Sequence, residues 1–168
     1  MGNQIYYKIE TKLSNDEIYQ ISEIHQKNIN GNLAILGVNF LHQLYLFFNE
    51  RENVFNVLAY KDKKIVGFIC FTLENNSIYS QFVSRKFFFL IFFFIKNLLK
   101  IKKILAFLNL FFLSLFNQKL TYEKELLSIA VMEKYQHKKL GSQMIQNLED
   151  YLKKNKIFEF AVRTEKDN

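Results

Sequence analysis

Apolar positions along the chain alternate between two periods, and the changes of period mark its elements. QIYYKIE (residues 4–10) has the two-residue alternation of a strand. Ser14-Asn15-Asp16-Glu17 has the form of a capping box, and Ile18, Ile21, Ile24 and His25 then recur at helical spacing. Gly31 and Gly37 bracket a predicted loop, after which Phe40, Leu41, Leu44, Tyr45 and Phe48 share one face of a second helix. VFNVLAY (54–60) and KIVGFICFTL (64–73) are rich in β-branched and aromatic residues, and the polar KDK between them (61–63) predicts a hairpin. A strand at 123–131, a helix from about 140 to 154 carried by Leu140, Met144, Leu148, Tyr151 and Leu152, and a last strand at 157–163 complete the order. Strands mixed with helices in this order imply an α/β (α+β) domain in which helices pack on a mixed sheet.

Residues 87–116 fit neither period. They open on nine uninterrupted apolar residues, Phe87 to Ile95, well short of the ~20 a membrane-crossing helix needs. Lys96, Lys100, Lys102 and Lys103 follow, each costly at the centre of a bilayer. Two readings remain. The segment is a helical hairpin packed on the domain with lysine stems covering apolar surface. Otherwise it lies in a membrane interface, with Lys96, Lys100 and Lys103 on one face opposite Leu98, Ile101, Leu105 and Leu108.

Composition sharpens the second reading. The net charge of +7 is concentrated: residues 82–116 hold Arg85, Lys86, Lys96, Lys100, Lys102 and Lys103 and no acid, so the rest of the chain sums to about +1. A protein that coats nucleic acid would carry its bases more widely, and no zinc-finger spacing or aromatic RNA-binding motif occurs, so nucleic acid is not an expected partner. Eleven of the nineteen phenylalanines fall in the same segment, which makes peripheral contact with an anionic membrane a real alternative. The 168 residues suffice for one domain with a substantial core. The lone Cys70, inside an apolar run, reads as a small core residue. With no disulfide possible within the chain and no secretion signal at the N-terminus, the expected compartment is the cytoplasm.

The chemistry concentrates in YQHKKLGSQM (135–144), where one of only five glycines follows a basic pair and precedes a helical pattern. A helix start leaves backbone N–H groups unpartnered and carries partial positive charge, so a basic turn there can hold an anion. Taken alone the stretch is equally an ordinary polar turn. No P-loop and no three-glycine dinucleotide fingerprint is present. Three scattered histidines, His25, His42 and His137, and one cysteine give no metal spacing, so no metal is expected. His25 and His42 read as polar surface or boundary residues, and His137 as a turn residue meeting phosphate or solvent.

In context, ELLSIAV–MEKYQHKKLGSQMIQNLEDYLKKN resembles the signature region of GNAT-type N-acetyltransferases, where a strand leads into Q/R-x-x-G-x-G/A and a helix. Gln136, Gly141 and Ser142 match, and Lys139 stands where the first glycine is usual. The resemblance implies a mostly antiparallel sheet flanked by helices in a single domain over residues 1–168, with a long apolar insert (77–118) after the third strand. It implies acetyl-CoA as co-substrate and an amine as acceptor. Gln136, His137, Lys138, Lys139, Leu140, Gly141 and Ser142 would hold the diphosphate. The backbone of Ile129, Ala130 and Val131 would take the pantetheine arm as an added strand, and Asn168 would begin the next family motif. Glu125, eleven residues before Gln136, stands at the spacing of the catalytic glutamate in the histone-acetylating branch; its other reading is a solvated carboxylate at a strand start. Direct transfer to a primary amine of a small molecule, amino sugar or protein is the implied reaction. Relatives continue past the position of Asn168 with a helix and two strands. On that comparison the fifth strand is expected to be an edge open to self-association, and the alternative to an active enzyme is a chain that binds coenzyme A or a membrane surface without turnover.

Overall fold

The computed structural model describes residues 4–74, 78–116 and 123–162, with side chains omitted for 110–116. Its strands are β1 (Tyr6–Glu10), β2 (Val54–Lys61), β3 (Lys64–Thr72), β4 (Glu125–Val131) and β5 (Ala161–Val162). Its helices are α1 (Asn15–Asn28), α2 (Asn32–Leu36), α3 (Val38–Asn49), α4 (Ile78–Arg85), α5 (Phe87–Lys96), α6 (Ile101–Phe116) and α7 (Leu140–Lys154). The five strands lie side by side in sequence order, antiparallel except for the parallel pair β4–β5. This is the mixed, mostly antiparallel sheet the sequence implies.

The sheet separates two cores. On one face α1 and α3 bury Ile18, Ile21, Phe40, Leu41 and Leu44 against Leu58 and Phe68. On the other, α7 presents Leu140, Met144, Leu148 and Leu152 to Val57, Ile69 and Phe71. Alternation along β2 and β3 feeds both faces, so these strands are buried almost throughout. The capping box at the start of α1 is complete: Glu17 N–H donates to Ser14 Oγ (3.3 Å), and Ser14 N–H to Glu17 Oε2 (2.8 Å). The β2–β3 hairpin closes over Asp62 and Lys63, both at positive φ, as a tight type I′ turn requires.

Three details depart from the sequence reading. The stretch between Gly31 and Gly37 is a short helix, α2, rather than a loop; its Leu36 is buried in the core. The last strand covers only Ala161–Val162 among the described residues. Before it the chain leaves α7 through a left-handed Lys156, and the Ile157 N–H donates to the Leu152 carbonyl (2.9 Å). His25 is buried in the core (3% exposed), not at the surface.

Between β3 and β4 the described residues form three helices, α4, α5 and α6, rather than the two of a helical hairpin. Their inner side is a cluster of aromatic rings on α3. Phe40 packs edge-on against Phe82 of α4 (5.7 Å between centroids) and tilted against Phe93 of α5 (5.1 Å), while Phe47 also meets Phe82 (5.4 Å). A break at residues 97–100 separates α5 from α6 and resets the helical phase. Lys103 consequently does not share a polar face with Lys96 and Lys100. It turns inward, and its Nζ donates to the Leu36 carbonyl at the end of α2 (3.0 Å), where a cation meets the negative end of the peptide dipoles. No single described helix is long and apolar enough to cross a membrane; α4 and α5 together have the composition, but they bend by 77° between them.

Candidate active site

The site is built along β4 and the turn after it. β4 pairs with β3 along most of its length, yet among the described residues it pairs with β5 only at Glu125 and Leu126. Residues 127–131 therefore have no ladder on their other edge there, and Ile129, Ala130 and Val131 lie on that stretch. A bulge falls within the β3–β4 pair, where Phe71 meets Leu126 but Cys70 meets Ser128. The extra residue, Leu127, joins the α1–α3 core. By strand alternation Glu125 faces that same side of the sheet. It is 3% exposed, at the first position of β4 between Thr72 of β3 and Ala161 of β5.

After Val131 the chain makes a single 3-10 turn, Glu133–Tyr135, and then the loop that opens α7. His137 (φ 59°) and Lys139 (φ 62°) are both left-handed. Lys139 thus adopts the conformation that glycine favours at this place, so the turn keeps its form without glycine. The Lys139 side chain stands exposed beside it. No side chain caps α7. The Gln143 N–H donating to the Lys139 carbonyl (3.0 Å) is its first rung, so the amides of Leu140, Gly141 and Ser142 precede the helical ladder.

Gly141 is informative for what does not require it. Its φ is not left-handed, and a Cβ added there would meet only Val131 Cγ2, at an ordinary 3.9 Å. The fold can take alanine at 141; what a side chain would obstruct is approach from outside. Gly67 is the opposite case. A Cβ on it would come within 3.0 Å of Met144 Sδ and 3.2 Å of the Ala130 carbonyl oxygen, so its absence lets α7 sit close to the sheet.

Asn28, Lys61 and Lys134, which sequence spacing did not single out, fix the turn together with Gln136 and Lys138. Asn28, the last residue of α1, accepts the Glu133 N–H through Oδ1 (2.8 Å). The Gln136 side-chain amide donates to the Val131 carbonyl (2.8 Å), tying the loop to the strand end. Lys61, Lys134 and Lys138 converge on the Tyr135 ring, at 5.4, 4.9 and 5.8 Å from its centre, and gather positive charge beside the start of α7. His137, Lys138, Lys139 and Ser142 are exposed and Leu140 is buried. Asn168 lies outside the described residues.

On the α1–α3 side, a buried polar chain reaches β4. His25 Nδ1 lies 2.7 Å from the Tyr45 hydroxyl, which lies 2.9 Å from Ser128 Oγ. Burial pushes the imidazole down to about 4 and raises the tyrosine well above its ordinary value, so both are neutral. Cys70 is wholly buried and burial pushes its thiol up, as suits a core residue. His42, by contrast, donates from Nε2 to Asn15 Oδ1 (3.1 Å) at the surface. Among the described residues no group of His, Cys, Asp and Glu is placed to hold a metal ion. A cavity of about 540 Å³ lies near the C-terminal end of β3, lined in part by Glu50, Arg51, Glu52 and Glu74.

The acetyltransferase (GNAT) family model matches residues 19–168, and the chain belongs to this family. Among solved structures, it is similar to aminoglycoside N-acetyltransferase AAC(6')-Iy in complex with CoA, at 9% identity over 100% of this chain and 82% of that one (TM-score 0.58). It is also similar to the PaiA N-acetyltransferase from Thermoplasma acidophilum in complex with coenzyme A, at 14% identity over 98% and 82% (TM-score 0.56). A third is ribosomal-protein-alanine N-acetyltransferase from Brucella melitensis biovar Abortus 2308, at 10% identity over 97% and 82% (TM-score 0.52). At these identities the likeness is one of fold. Among curated proteins, none matches the sequence.

Proposed function

We propose that this chain transfers an acetyl group directly from acetyl-CoA to a primary amine, with the turn at 136–142 holding the diphosphate and Glu125 taking the amine's proton. The observation that carries the reading is the open start of α7. Three amides there precede the helical ladder, lysines stand beside them, and Gly141 leaves the approach clear although the fold does not demand glycine. The edge of β4 at Ile129, Ala130 and Val131 offers backbone groups to an extended pantetheine arm. Such an arm, laid toward the start of β4, brings the thioester to the Glu125 end of the strand.

In the transfer, the amine nitrogen forms a bond to the thioester carbonyl carbon, and the carbon–sulfur bond breaks. The proton leaves the nitrogen for Glu125, directly or through water, and the thiolate takes a proton from solvent. Backbone N–H groups on the open edge of β4 polarise the carbonyl oxygen. The acceptor is a small molecule, an amino sugar or a protein amine.

The test uses the full chain. Acetyl-CoA should raise its melting temperature, and an amine panel should include an acceptor that releases free thiol. Glu125→Gln should lower turnover roughly 10²-fold or more and flatten the pH profile while leaving acetyl-CoA affinity unchanged. No melting shift at saturating acetyl-CoA would remove the phosphate turn. A shift with no thiol release from any amine would leave a coenzyme-binding protein without transfer. An unchanged pH–rate curve in the variant would remove Glu125 as the base.

A further inference from the structure

The insert packs on the domain through only half of its surface. α5 sends Leu90 and Phe93 inward, and α6 sends Ala106. The opposite face is as apolar as the core yet open to solvent. Phe88 is 85% exposed, Phe92 64%, Leu99 98% and Ile101 72%, with Ile95 and Leu105 continuing the same two stripes. The spacing 88, 92, 95, 99 follows one side of α5 into the connecting turn, and 101, 105 follows one side of α6 out of it. The six side chains of these stripes expose on the order of 650 Å², taking ~150 Å² per fully exposed large apolar side chain. The largest such patch on a monomeric soluble protein is usually ~300–600 Å².

Charge identifies what covers it. Residues 82–116 contain six basic side chains and no acid. Two of the six are already engaged: Lys86 with Glu50 (3.9 Å) and Lys103 with the Leu36 carbonyl. Arg85, Lys96, Lys100 and Lys102 are exposed and flank the apolar stripes. A second copy docked face to face would bring these bases against their own equivalents with no acid between them. An anionic bilayer supplies both components at once, hydrocarbon for the rings and phosphate or carboxylate headgroups for the lysines. Its geometry also suits helices that cannot span. α5 has ten residues, about 15 Å of helix against ~30 Å of hydrocarbon, and the 77° bend from α4 prevents the two from forming one rod.

We propose that the outer face of α5 and α6 is a peripheral membrane-docking surface for anionic phospholipid. Phe88, Phe92 and Leu99 enter the acyl boundary, and Lys96, Lys100 and Lys102 meet the headgroups. This surface stands apart from the reading of β4 and α7 and does not depend on it.

The experiment is co-sedimentation of the full chain with phosphatidylcholine vesicles and with vesicles containing phosphatidylserine, at low and high salt. Binding is expected to the serine-containing vesicles, at least ~10-fold above phosphatidylcholine alone, and to weaken as salt shortens the Debye length to a few ångströms. Lys96→Gln with Lys100→Gln should lose roughly 25-fold, a factor of about five for each lysine near the surface. Phe88→Ser with Phe92→Ser should lose ~10-fold or more, and since both rings are exposed the thermal melt should hold, separating lost docking from lost folding. The proposal is overturned if the chain stays in the supernatant at low salt, if both vesicle types bind it equally, or if the phenylalanine substitutions leave binding unchanged. It is equally overturned if sedimentation velocity shows self-association that those substitutions abolish while vesicles bind nothing; the occupant is then a second copy.

Discussion

Acidification from pH 7 to pH 5 should destabilise the folded chain by about 2 kcal/mol through His25 alone. The ring is enclosed by the core of α1 and α3, its Nδ1 2.7 Å from the Tyr45 hydroxyl, and burial pushes it down to about 4 from an ordinary value of 6.5. The folded value is the lower one. Between 6.5 and about 4 the unfolded chain therefore accepts a proton that the folded chain refuses, and folding weakens as pH falls through that window. The whole interval corresponds to about 3 kcal/mol, and the part crossed between pH 7 and pH 5 to about 2 kcal/mol. Glu17 does not interfere. Burial raises its carboxyl, but hydrogen bonds from Tyr60 and Ser14 lower it by more, to a net value below 4.5. Its stabilisation is present above 4.5 and is lost as pH falls below that, under the pH 7 to 5 range of the assay. The assay is urea unfolding at pH 7, 6 and 5 for the wild type and for His25→Gln, which keeps an acceptor for Tyr45 but cannot titrate in this range. The quantity read is the difference in slope, so a uniform loss of stability in the variant does not matter. Parallel stability curves for the two proteins would refute the reasoning.

Four substitutions probe the framework. Gly141→Ala should leave folding intact or stabilise α7 by ~0.5–1 kcal/mol, while weakening acetyl-CoA binding ~10-fold or more as its methyl meets the incoming phosphates; calorimetric titration and a thermal melt read both. Lys139→Gly relieves a left-handed residue and should raise stability by up to ~1 kcal/mol, seen as a shift in the urea midpoint without a change of slope. Gly67→Ala drives a methyl against Met144 and the Ala130 carbonyl and should cost ~1–3 kcal/mol by the same measurement. Phe40→Ala removes the ring on which Phe82 and Phe93 rest and should cost ~3–5 kcal/mol, with increased protease sensitivity across α4 and α5.

Periodicity was enough to read most of this fold, because α1, α3 and α7 each have a single dry face and β2 and β3 are continuous β-branched and aromatic runs buried on both faces. The pattern Leu140, Met144, Leu148, Leu152 predicts α7, and all four are buried on the sheet. Where the reading failed, the deciding interaction was tertiary. Asn32–Leu36 sits between two glycines, and its helix is held by burial of Leu36 and by Lys103 from the insert, far away in sequence. Lys96, Lys100 and Lys103 share a face only on an unbroken helix, and the chain breaks at 97–100, where the buried Asn97 side chain donates to the Phe93 carbonyl (2.8 Å). His25 carries the same polar letter whether it is solvated or enclosed. Only the arrival of Tyr45, twenty residues on, together with Ser128 from β4, makes burial tolerable.

The turn at 136–142 shows why a motif is legible when its supports are not. Spacing locates Gln136, Gly141 and Ser142 because backbone geometry there is local. The contacts that hold the geometry come from three distant elements. Asn28 at the end of α1 accepts the Glu133 amide, Lys61 at the end of β2 reaches the Tyr135 ring, and Gly67 in β3 makes room for Met144. Each acts on the segment between β4 and the body of α7, and none carries a signature of its own. An amide turn preorganised in this way needs little rearrangement to receive an anion, and that economy of motion explains how a loop with two left-handed non-glycine residues, His137 and Lys139, can be kept at the mouth of a helix.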